Sequence, residues 1–291
     1  MGRDVYERNA LARELYKSAD ALLGYELSII CFEGPEDLLR QTENTQPAVF
    51  AQSMILMKLM DRKDVSMVAG HSLGEYSALV TAGSLTFEDG LRLVRLRGKL
   101  MQQAGEKEKG TMAAIVGLEP SVVEDVCREA VSSGVVQCAN FNSPGQIVVS
   151  GSVDGVRKAM GIAKSRGAKM AKELTVSGAF HSPLMQSARR ELHEALTKTT
   201  IQDAQIPVYM NVTGESVQKA GEIRTFLNEQ LIKPVRWEQS IQNMIRDGAK
   251  IFVEVGPGKI LQGLVKRINS DVEISGIDKY DDIVKFKQVK E

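Results

Sequence analysis

The chain has 291 residues, a length that suits one α/β core with a smaller inserted unit. Its 37 lysines and arginines balance 37 aspartates and glutamates, which excludes a generally basic nucleic-acid-binding protein. With 43% apolar and 25% charged residues, the composition is that of a folded globular protein and excludes an intrinsically disordered chain.

Apolar runs alternate with amphipathic stretches along most of the chain, which is typical of an α/β protein. The elements predicted for the first third are helices over residues 3–23 and 47–61, a short buried strand over 65–69, and helices over 75–82 and from residue 86 onward. Gly24 is the predicted end of the first helix. Pro47 suits the first turn of the second helix, with Thr45 as its cap. Thr86 and Asp89 resemble a capping box.

From residue 110 the pattern changes to an alternation of short strands and helices. The predicted order is strand 111–118, helix 120–131, strands 135–141 and 146–151, helix 153–166 and strand 169–176. This βαββαβ order within about 70 residues is typical of a ferredoxin-like unit. We therefore predict that residues 110–176 form a ferredoxin-like small subdomain, inserted into a large α/β subdomain made of residues 1–109 and 177–291.

The α/β alternation returns after the insert. The predicted elements are a helix from about residue 183, a strand over 207–211, helices over 222–232 and 237–247, a strand over 251–255, a helix over 259–268 and a strand over 272–277. We expect the large subdomain to be an α/β-hydrolase-like core with a parallel sheet.

The segment Gly70-His71-Ser72-Leu73-Gly74 carries the clearest chemical signal, because a predicted buried strand enters it and a predicted helix leaves it. Glycines two residues before and after Ser72 permit a sharp turn that exposes the hydroxyl as a nucleophile. The backbone N–H of Leu73 would then face an oxyanion formed on the attacked acyl group. The alternative is an ordinary glycine-rich turn between a strand and a helix.

A serine nucleophile needs a base, and the chain has three histidines. His71 lies inside the turn, where its side chain would point away from that of Ser72. His193 lies in a charged helical stretch and is interpreted as a surface residue. His181 follows the insert in a junction loop, a place where catalytic groups are common, and is the candidate base by elimination. No acid is evident as a third member, so we predict a Ser–His dyad oriented by a backbone carbonyl.

Six segments occur in order along the chain: GHSLGEYSAL at 70–79, RLRGKLMQ at 96–103, ANFNSPGQIVVSG at 139–151, VSGAFHSPLM at 176–185, EQLIKPVRW at 229–237 and VEVGPGKIL at 253–261. Together they resemble the malonyl-CoA:acyl carrier protein transacylases, an acyltransferase family of fatty acid and polyketide synthesis. The resemblance runs from residue 1 to about residue 278.

The resemblance implies a role for each matching site residue. Ser72 would carry the malonyl group and His181 would be its general base. Arg97 would hold the malonyl carboxylate, for which a planar guanidinium is well suited. Gln230 matches the position whose main-chain carbonyl orients the histidine, so we expect its side chain to matter little. Phe180 matches a position that correlates with the choice of malonyl over methylmalonyl.

The sequence departs from the family pattern at its beginning. The family normally starts with a strand ending in a PGQGSQ loop, whose glutamine main chain supplies the second oxyanion donor. Here Met1-Gly2-Arg3-Asp4 resembles the segment directly after that loop. We expect the given chain to lack this strand and donor. Either Met1 is an internal methionine taken as the start, which we favour, or the protein is truncated and impaired.

The resemblance implies transfer of malonyl from malonyl-CoA through Ser72 to the phosphopantetheine thiol of acyl carrier protein, in fatty acid biosynthesis. We further expect a monomer without a cofactor, acting on neither nucleic acid nor membrane. Two alternatives stay open. One is a serine esterase or thioesterase, disfavoured by Arg97 and by the missing acid. The other is a truncated carrier-protein-binding remnant with weak activity.

The cysteines and the terminal segment indicate the compartment. Cys31, Cys127 and Cys138 are scattered, so we expect neither a disulfide framework nor a metal site, and we predict a reducing cytoplasm. No apolar run approaches the ~18 residues of a membrane span, and the polar N-terminal segment has no signal-peptide core.

Overall fold

The N-terminal region of the computed structural model is helical; the structure describes residues 1–62 and 64–288. Its helices are α1 (Arg3–Arg8), α2 (Ala10–Leu23), α3 (Leu27–Glu33), α4 (Glu36–Arg40) and α5 (Thr42–Met60). The prediction of one helix over 3–23 is wrong, because Asn9 is extended and its side chain accepts the Ala12 N–H to begin α2. Gly24 ends α2 in the left-handed region, as predicted.

The start of α5 also differs from the prediction. The helix begins at Thr42, so Pro47 lies inside it rather than in its first turn. Thr45 does not cap the helix, since its hydroxyl donates to the carbonyls of Leu39 and Gln41. The short helices α3 and α4 had no predicted counterpart.

Three elements carry the middle of the chain: β1 (Val68–Ala69), α6 (Gly74–Thr81) and α7 (Phe87–Lys107). The Thr86 hydroxyl accepts the Asp89 N–H, which confirms the predicted cap of α7. α7 packs between α5 and α10 (Gln186–Lys198). A Cβ at Gly98 would lie only 2.7 Å from the Thr42 carbonyl oxygen, so the close approach of α7 to α5 requires glycine there.

Residues 110–173 form a four-stranded antiparallel sheet with two helices. The elements are β2 (Gly110–Val116), α8 (Pro120–Ala130), β3 (Val136–Ser143), β4 (Gln146–Ser152), α9 (Val153–Ser165) and β5 (Met170–Glu173). The strand order is β3-β4-β2-β5. Ala113 in β2 pairs with Val149 on one side and Glu173 on the other. α8, α9 and the sheet enclose a hydrophobic cluster of their own. All six predicted elements are present, although β5 ends three residues early.

The C-terminal part returns to mixed strands and helices. Besides α10 it contains β6 (Val208–Tyr209), β7 (Ser216–Val217), α11 (Ala220–Gln230), α12 (Trp237–Arg246), β8 (Ile251–Val255), α13 (Ile260–Ile268), β9 (Glu273–Ile277) and α14 (Tyr280–Gln288). β1 pairs with β6 and β8 pairs with β9, both in parallel, while β7 adds to β6 in antiparallel fashion. A parallel sheet was predicted for the large subdomain, and the structure has two separate parallel pairs instead. β7 and α14 were not predicted.

The parallel pairs do not join into one sheet among the described residues. β1 and β8 instead face a shared groove of about 1070 Å³, lined by side chains such as Met54, Val68 and Phe252. Ile251 in β8 is 62% exposed, far more than expected for a strand of a doubly covered sheet. Over the residues that the structure describes, no helix is both long and apolar enough to cross a membrane.

Candidate active site

Ser72 lies in the sharp turn between β1 and α6. Its φ is 50°, a left-handed value that is uncommon for a residue with a side chain. The two glycines of the motif differ in what they do. A Cβ at Gly70 would overlap the Gly74 carbonyl group, so the turn closes only with glycine at 70. A Cβ at Gly74 would meet nothing within 4 Å.

Leu73 and Gly74 begin α6 directly after the serine. The first turn of a helix leaves N–H groups without intrahelical acceptors, and the helix dipole adds positive potential there. The N–H groups of Gly74, Glu75 and Tyr76 donate to the carbonyls of His71, Ser72 and Leu73. Leu73 is the N-cap of α6, and the role of its N–H as an oxyanion donor stays a prediction.

Ser72 and His181 are in hydrogen-bond contact, 109 residues apart in sequence. Ser72 Oγ lies 2.8 Å from His181 Nε2, and His181 Nδ1 lies 2.7 Å from the main-chain carbonyl oxygen of Gln230. A carbonyl can only accept, so Nδ1 carries the proton and Nε2 is free to accept one from the serine. The structure thus brings together the serine, histidine and carbonyl that the sequence analysis singled out.

The imidazole of His181 is buried, with 3% of its surface exposed. Burial, followed by the positive charge of Arg97, lowers the pKa of His181 to about 3. The ring is therefore neutral at pH 7, the form that a general base requires.

Arg97 enters the same site from α7 and is 1% exposed. One terminal nitrogen donates to Gln46 Oε1 at 2.8 Å. The other donates to both Ser72 Oγ and Gln230 Oε1 at 2.9 Å. Its Nε has no hydrogen-bond partner among the described residues. Burial lowers the pKa of Arg97, and the nearby Tyr76 and Glu75 side chains oppose that change.

Gln230 does more than present its carbonyl. Its Nε2 donates to the Ser72 carbonyl oxygen at 2.9 Å and to Glu75 Oε2, and its Oε1 accepts from Arg97. The side chain is fully buried. These three hydrogen bonds contradict the expectation that the identity of the Gln230 side chain matters little.

Glu75 is the buried carboxyl group of the site, fully enclosed in the first turn of α6. Its Oε1 accepts the Asn211 N–H at 3.0 Å. Burial raises the pKa of Glu75 to about 7, and its hydrogen bonds oppose that rise. Glu75 does not contact His181 through any hydrogen bond that the described residues form, so it is no third member of the dyad.

Phe180 and the other two histidines complete the residues named in the sequence analysis, and the role of Phe180 in the choice of acyl group stays a prediction. Phe180 is half-buried and packs against Met112, Ala139 and Val148 of the antiparallel sheet. His71 points away from the dyad and places Nε2 2.9 Å from Asn142 Oδ1. His193 is exposed on α10, as predicted. The described residues contain no cluster of His, Cys, Asp and Glu side chains able to hold a metal ion.

Three amide side chains of the site were missed by the sequence analysis: Gln46, Gln137 and Asn211. Gln137, on β3, donates to the carbonyls of His181 and Ile232 and so joins the antiparallel sheet to the loop that carries the base. Asn211 follows β6 at the carboxyl end of a parallel pair. Polar residues at that position are a general signal for a site in α/β proteins, and the signal was available.

The acyl transferase domain family matches residues 1–279. The malonyl CoA-acyl carrier protein transacylase of Bacillus subtilis is 43% identical over 272 residues, which are 92% of this chain and 86% of that protein. The transacylase structure from Coxiella burnetii superposes with a TM-score of 0.95 at 37% identity, covering 99% of this chain and 92% of that one.

A further solved structure contains a partner. It is a complex of a type II polyketide synthase acyl-carrier protein with its malonyl-transacylase, similar to this chain with a TM-score of 0.94 at 37% identity. The match covers 98% of this chain and 93% of that one.

Proposed function

The chain belongs to the acyl transferase domain family, and from that premise we propose that it transfers malonyl from malonyl-CoA to acyl carrier protein. The reaction belongs to fatty acid biosynthesis, and the acceptor is the phosphopantetheine thiol of the carrier. The observation that carries the proposal is the buried Arg97 guanidinium, 2.9 Å from the hydroxyl of a Ser72–His181 pair.

In the first half-reaction His181 Nε2 takes the proton of Ser72 while Oγ attacks the thioester carbonyl carbon. The Leu73 N–H donates to the oxyanion, and the Gln230 carbonyl holds the imidazolium that has formed. The C–S bond then breaks, and His181 returns its proton to the leaving thiolate of coenzyme A. Malonyl-Ser72 is the product of this step.

The second half-reaction reverses these events with another thiol. His181 takes the proton of the carrier phosphopantetheine, the sulfur attacks the ester carbonyl, and Ser72 leaves with the proton. Since the acyl group moves between two thiols, the chain must favour a thiol over water as the acceptor. That requirement separates a transferase from the serine hydrolases with the same nucleophile.

Arg97 is the proposed selector for malonyl. Its charge is held by the neutral amides of Gln46 and Gln230, so the free carboxylate of malonyl would be its first anionic hydrogen-bond partner in the site. A planar guanidinium matches a carboxylate with two parallel hydrogen bonds. A neutral acetyl group offers no such partner.

The test is intact-mass spectrometry after mixing the chain with malonyl-CoA alone. We expect an adduct of one malonyl group that Ser72→Ala abolishes and that Ser77→Ala, on the neighbouring helix turn, retains. The adduct should transfer to holo acyl carrier protein when that is added. Continuous release of free coenzyme A without an adduct would indicate a thioesterase instead. No adduct and no release would indicate a remnant that only binds the carrier.

The architecture that accompanies this function is also proposed. We infer a ferredoxin-like subdomain over residues 110–176 within an α/β-hydrolase-like large subdomain over 1–109 and 177–291. The order β3-β4-β2-β5 supports the first part, because it places the first and third strands of the unit at the centre. Parallel β1–β6 and β8–β9 pairs support the second. We propose that the chain is a monomer. We also propose that it acts in the cytoplasm, and its three free, buried cysteines are consistent with a reducing compartment.

A further inference from the structure

Asn211 reaches from the end of β6 to the turn that holds Ser72. Its Oδ1 accepts the Ser72 N–H at 2.7 Å, and its Nδ2 donates to the Gly70 carbonyl oxygen at 2.7 Å. Both polar atoms of the carboxamide therefore bond to the main chain of the turn, one on each side of His71. The residue is fully buried.

Asn211 is itself fixed by its main chain. Its N–H donates to Glu75 Oε1 at 3.0 Å, and its carbonyl accepts the Arg236 N–H at 2.9 Å. The parallel pairing of Ala69 with Tyr209 ends just before it, so Asn211 continues the link between β1 and β6 beyond the last pair of residues. A side chain anchored in this way can impose a conformation on its neighbour.

The turn needs such a constraint. Ser72 has a φ of 50°, a conformation that persists only where the surroundings enforce it. The direction of its Oγ toward His181 Nε2 follows from that backbone conformation. The two hydrogen bonds that Asn211 forms, with the Gly70 carbonyl and the Ser72 N–H, lie at the two ends of the three residues whose backbone sets the direction of Oγ. Other contacts to the turn come from the Gln230 side chain, which holds the Ser72 carbonyl.

We propose that Asn211 is a positioning residue that holds the Ser72 turn in its reactive conformation without touching the substrate. The proposal rests on the proposed function only in that Ser72 is the nucleophile. Loss of the carboxamide should slow attack by Ser72 and leave the affinity for the acyl donor nearly unchanged. A misplacement of about 1 Å at a reacting atom can cost about 10²-fold in rate.

The test compares Asn211→Ala and the larger, apolar Asn211→Leu with matched changes at Asn243. Asn243 is also buried; its Nδ2 donates to the Gly214 carbonyl and its Oδ1 accepts from Arg246, away from the turn. The readouts are the rate constant of Ser72 acylation at saturating malonyl-CoA, the KM, and labelling of Ser72 by a fluorophosphonate. Thermal unfolding and circular dichroism report on the fold.

We expect both Asn211 variants to lose roughly 10- to 100-fold in acylation rate constant and in fluorophosphonate labelling, with KM within about twofold. The Asn243 variants should lose about as much thermal stability but keep both rates. Wild-type rates in a folded Asn211 variant, or equal rate losses in the Asn243 variants, would overturn the proposal.

Two further measurements keep the outcomes separate. If the wild-type chain takes no malonyl but its labelling by fluorophosphonate depends on Asn211, the proposed function fails and the positioning role stands. Amide hydrogen exchange of the wild-type chain needs no variant. The Ser72 N–H should exchange slowly because Asn211 accepts it, and rapid exchange in the folded protein would contradict the proposal.

Discussion

The guanidinium of Arg97 lies between the amides of Gln46 and Gln230 and donates to the Ser72 hydroxyl. We expect Arg97→Ala to lose malonyl transfer by roughly 2–5 kcal/mol in transition-state stabilisation, the range for truncating one partner of a desolvated charge pair. Transfer from acetyl-CoA should fall far less or rise, because acetyl has no carboxylate. Steady-state kinetics with both donors measure the difference.

Arg95→Ala is the matched control for that comparison. Arg95 lies on the same helix but bonds to the Glu43 carbonyl and the Asn44 side chain, outside the site. It should change the two donors equally. Equal losses for malonyl and acetyl in Arg97→Ala would mean that Arg97 acts on the fold and not on the acyl group.

Glu75 and His181 give opposite contributions to the pH dependence of stability. The pKa of His181 is lowered to about 3, so the unfolded chain binds more protons and stability falls as pH drops below about 6.5. The pKa of Glu75 is raised to about 7, so the folded chain binds more protons between about 4.5 and 7. Its contribution to stability therefore rises as pH drops through that window.

Glu75→Gln removes the contribution of Glu75 to the pH dependence of stability and keeps that of His181. We expect its free energy of unfolding to fall more steeply than that of the wild-type chain between pH 7 and pH 5. Urea unfolding at both pH values measures this difference. Parallel pH profiles for the two proteins would show that Glu75 is already ionised in the folded state at pH 5.

The position of α7 depends on its close approach to α5. Gly98→Ala would place a Cβ 2.7 Å from the Thr42 carbonyl oxygen and 2.9 Å from Glu43 Cα. We expect a loss of about 1–3 kcal/mol in stability and a loss of acylation, because Arg97 is the preceding residue. Gly161→Ala in α9, where a Cβ meets nothing within 4 Å, should stabilise by about 0.5–1 kcal/mol. Thermal unfolding and adduct formation test both. Stability at or above wild type in Gly98→Ala would show that the helices can separate.

The elements differ in how much of them the sequence could predict. The six elements within 110–176 were predicted because each apolar run is bounded by a clear turn signal. The sequence analysis missed the short helices α3 and α4 and the two-residue strand β7, because segments this short are too short to show a periodic apolar pattern. The helix predicted over 3–23 is broken at Asn9, whose capping hydrogen bond outweighs a continuous helical pattern.

The candidate site was predictable to the extent that it lies in local motifs. Ser72 follows from the strand–turn–helix context and His181 from elimination, whereas Arg97 and Gln230 needed the family resemblance. Asn211 follows a predicted strand, which is a general signal for a site, but its contact with Ser72, 139 residues away, forms only once β1 and β6 pair. Buried amides carry no charge pattern and resemble any surface asparagine or glutamine in sequence.

The chain has no net charge, so attraction to an acidic carrier protein requires a local basic surface. Six basic residues are exposed on α9 and around β5, on the path that leads to His181: Arg157, Lys158, Lys164, Arg166, Lys169 and Lys172. Two of them are partly balanced, since Arg157 pairs with Glu173 and Arg166 with Glu129. The four lysines form no salt bridge with another described residue, so they supply most of the uncompensated charge of this basic surface.

We expect charge reversal at Lys164, Arg166 and Lys169 to slow malonyl transfer to the carrier, and the effect to fade at high salt as screening grows. Acylation of Ser72 by malonyl-CoA should be nearly unchanged, because that half-reaction involves no carrier. Stopped-flow or quenched-flow assays of the two half-reactions, at low and high salt, separate these effects.

The control for net charge is the reversal of three exposed lysines on α13 and α14: Lys266, Lys285 and Lys287. It changes the total charge similarly but leaves the basic surface intact, so transfer should stay close to wild type. If both triple variants slow transfer equally, net charge and not a docking site is responsible. An unaltered rate in the first variant at low salt would move the docking site toward Lys233 and Arg236, beside the Gln230 carbonyl that orients His181.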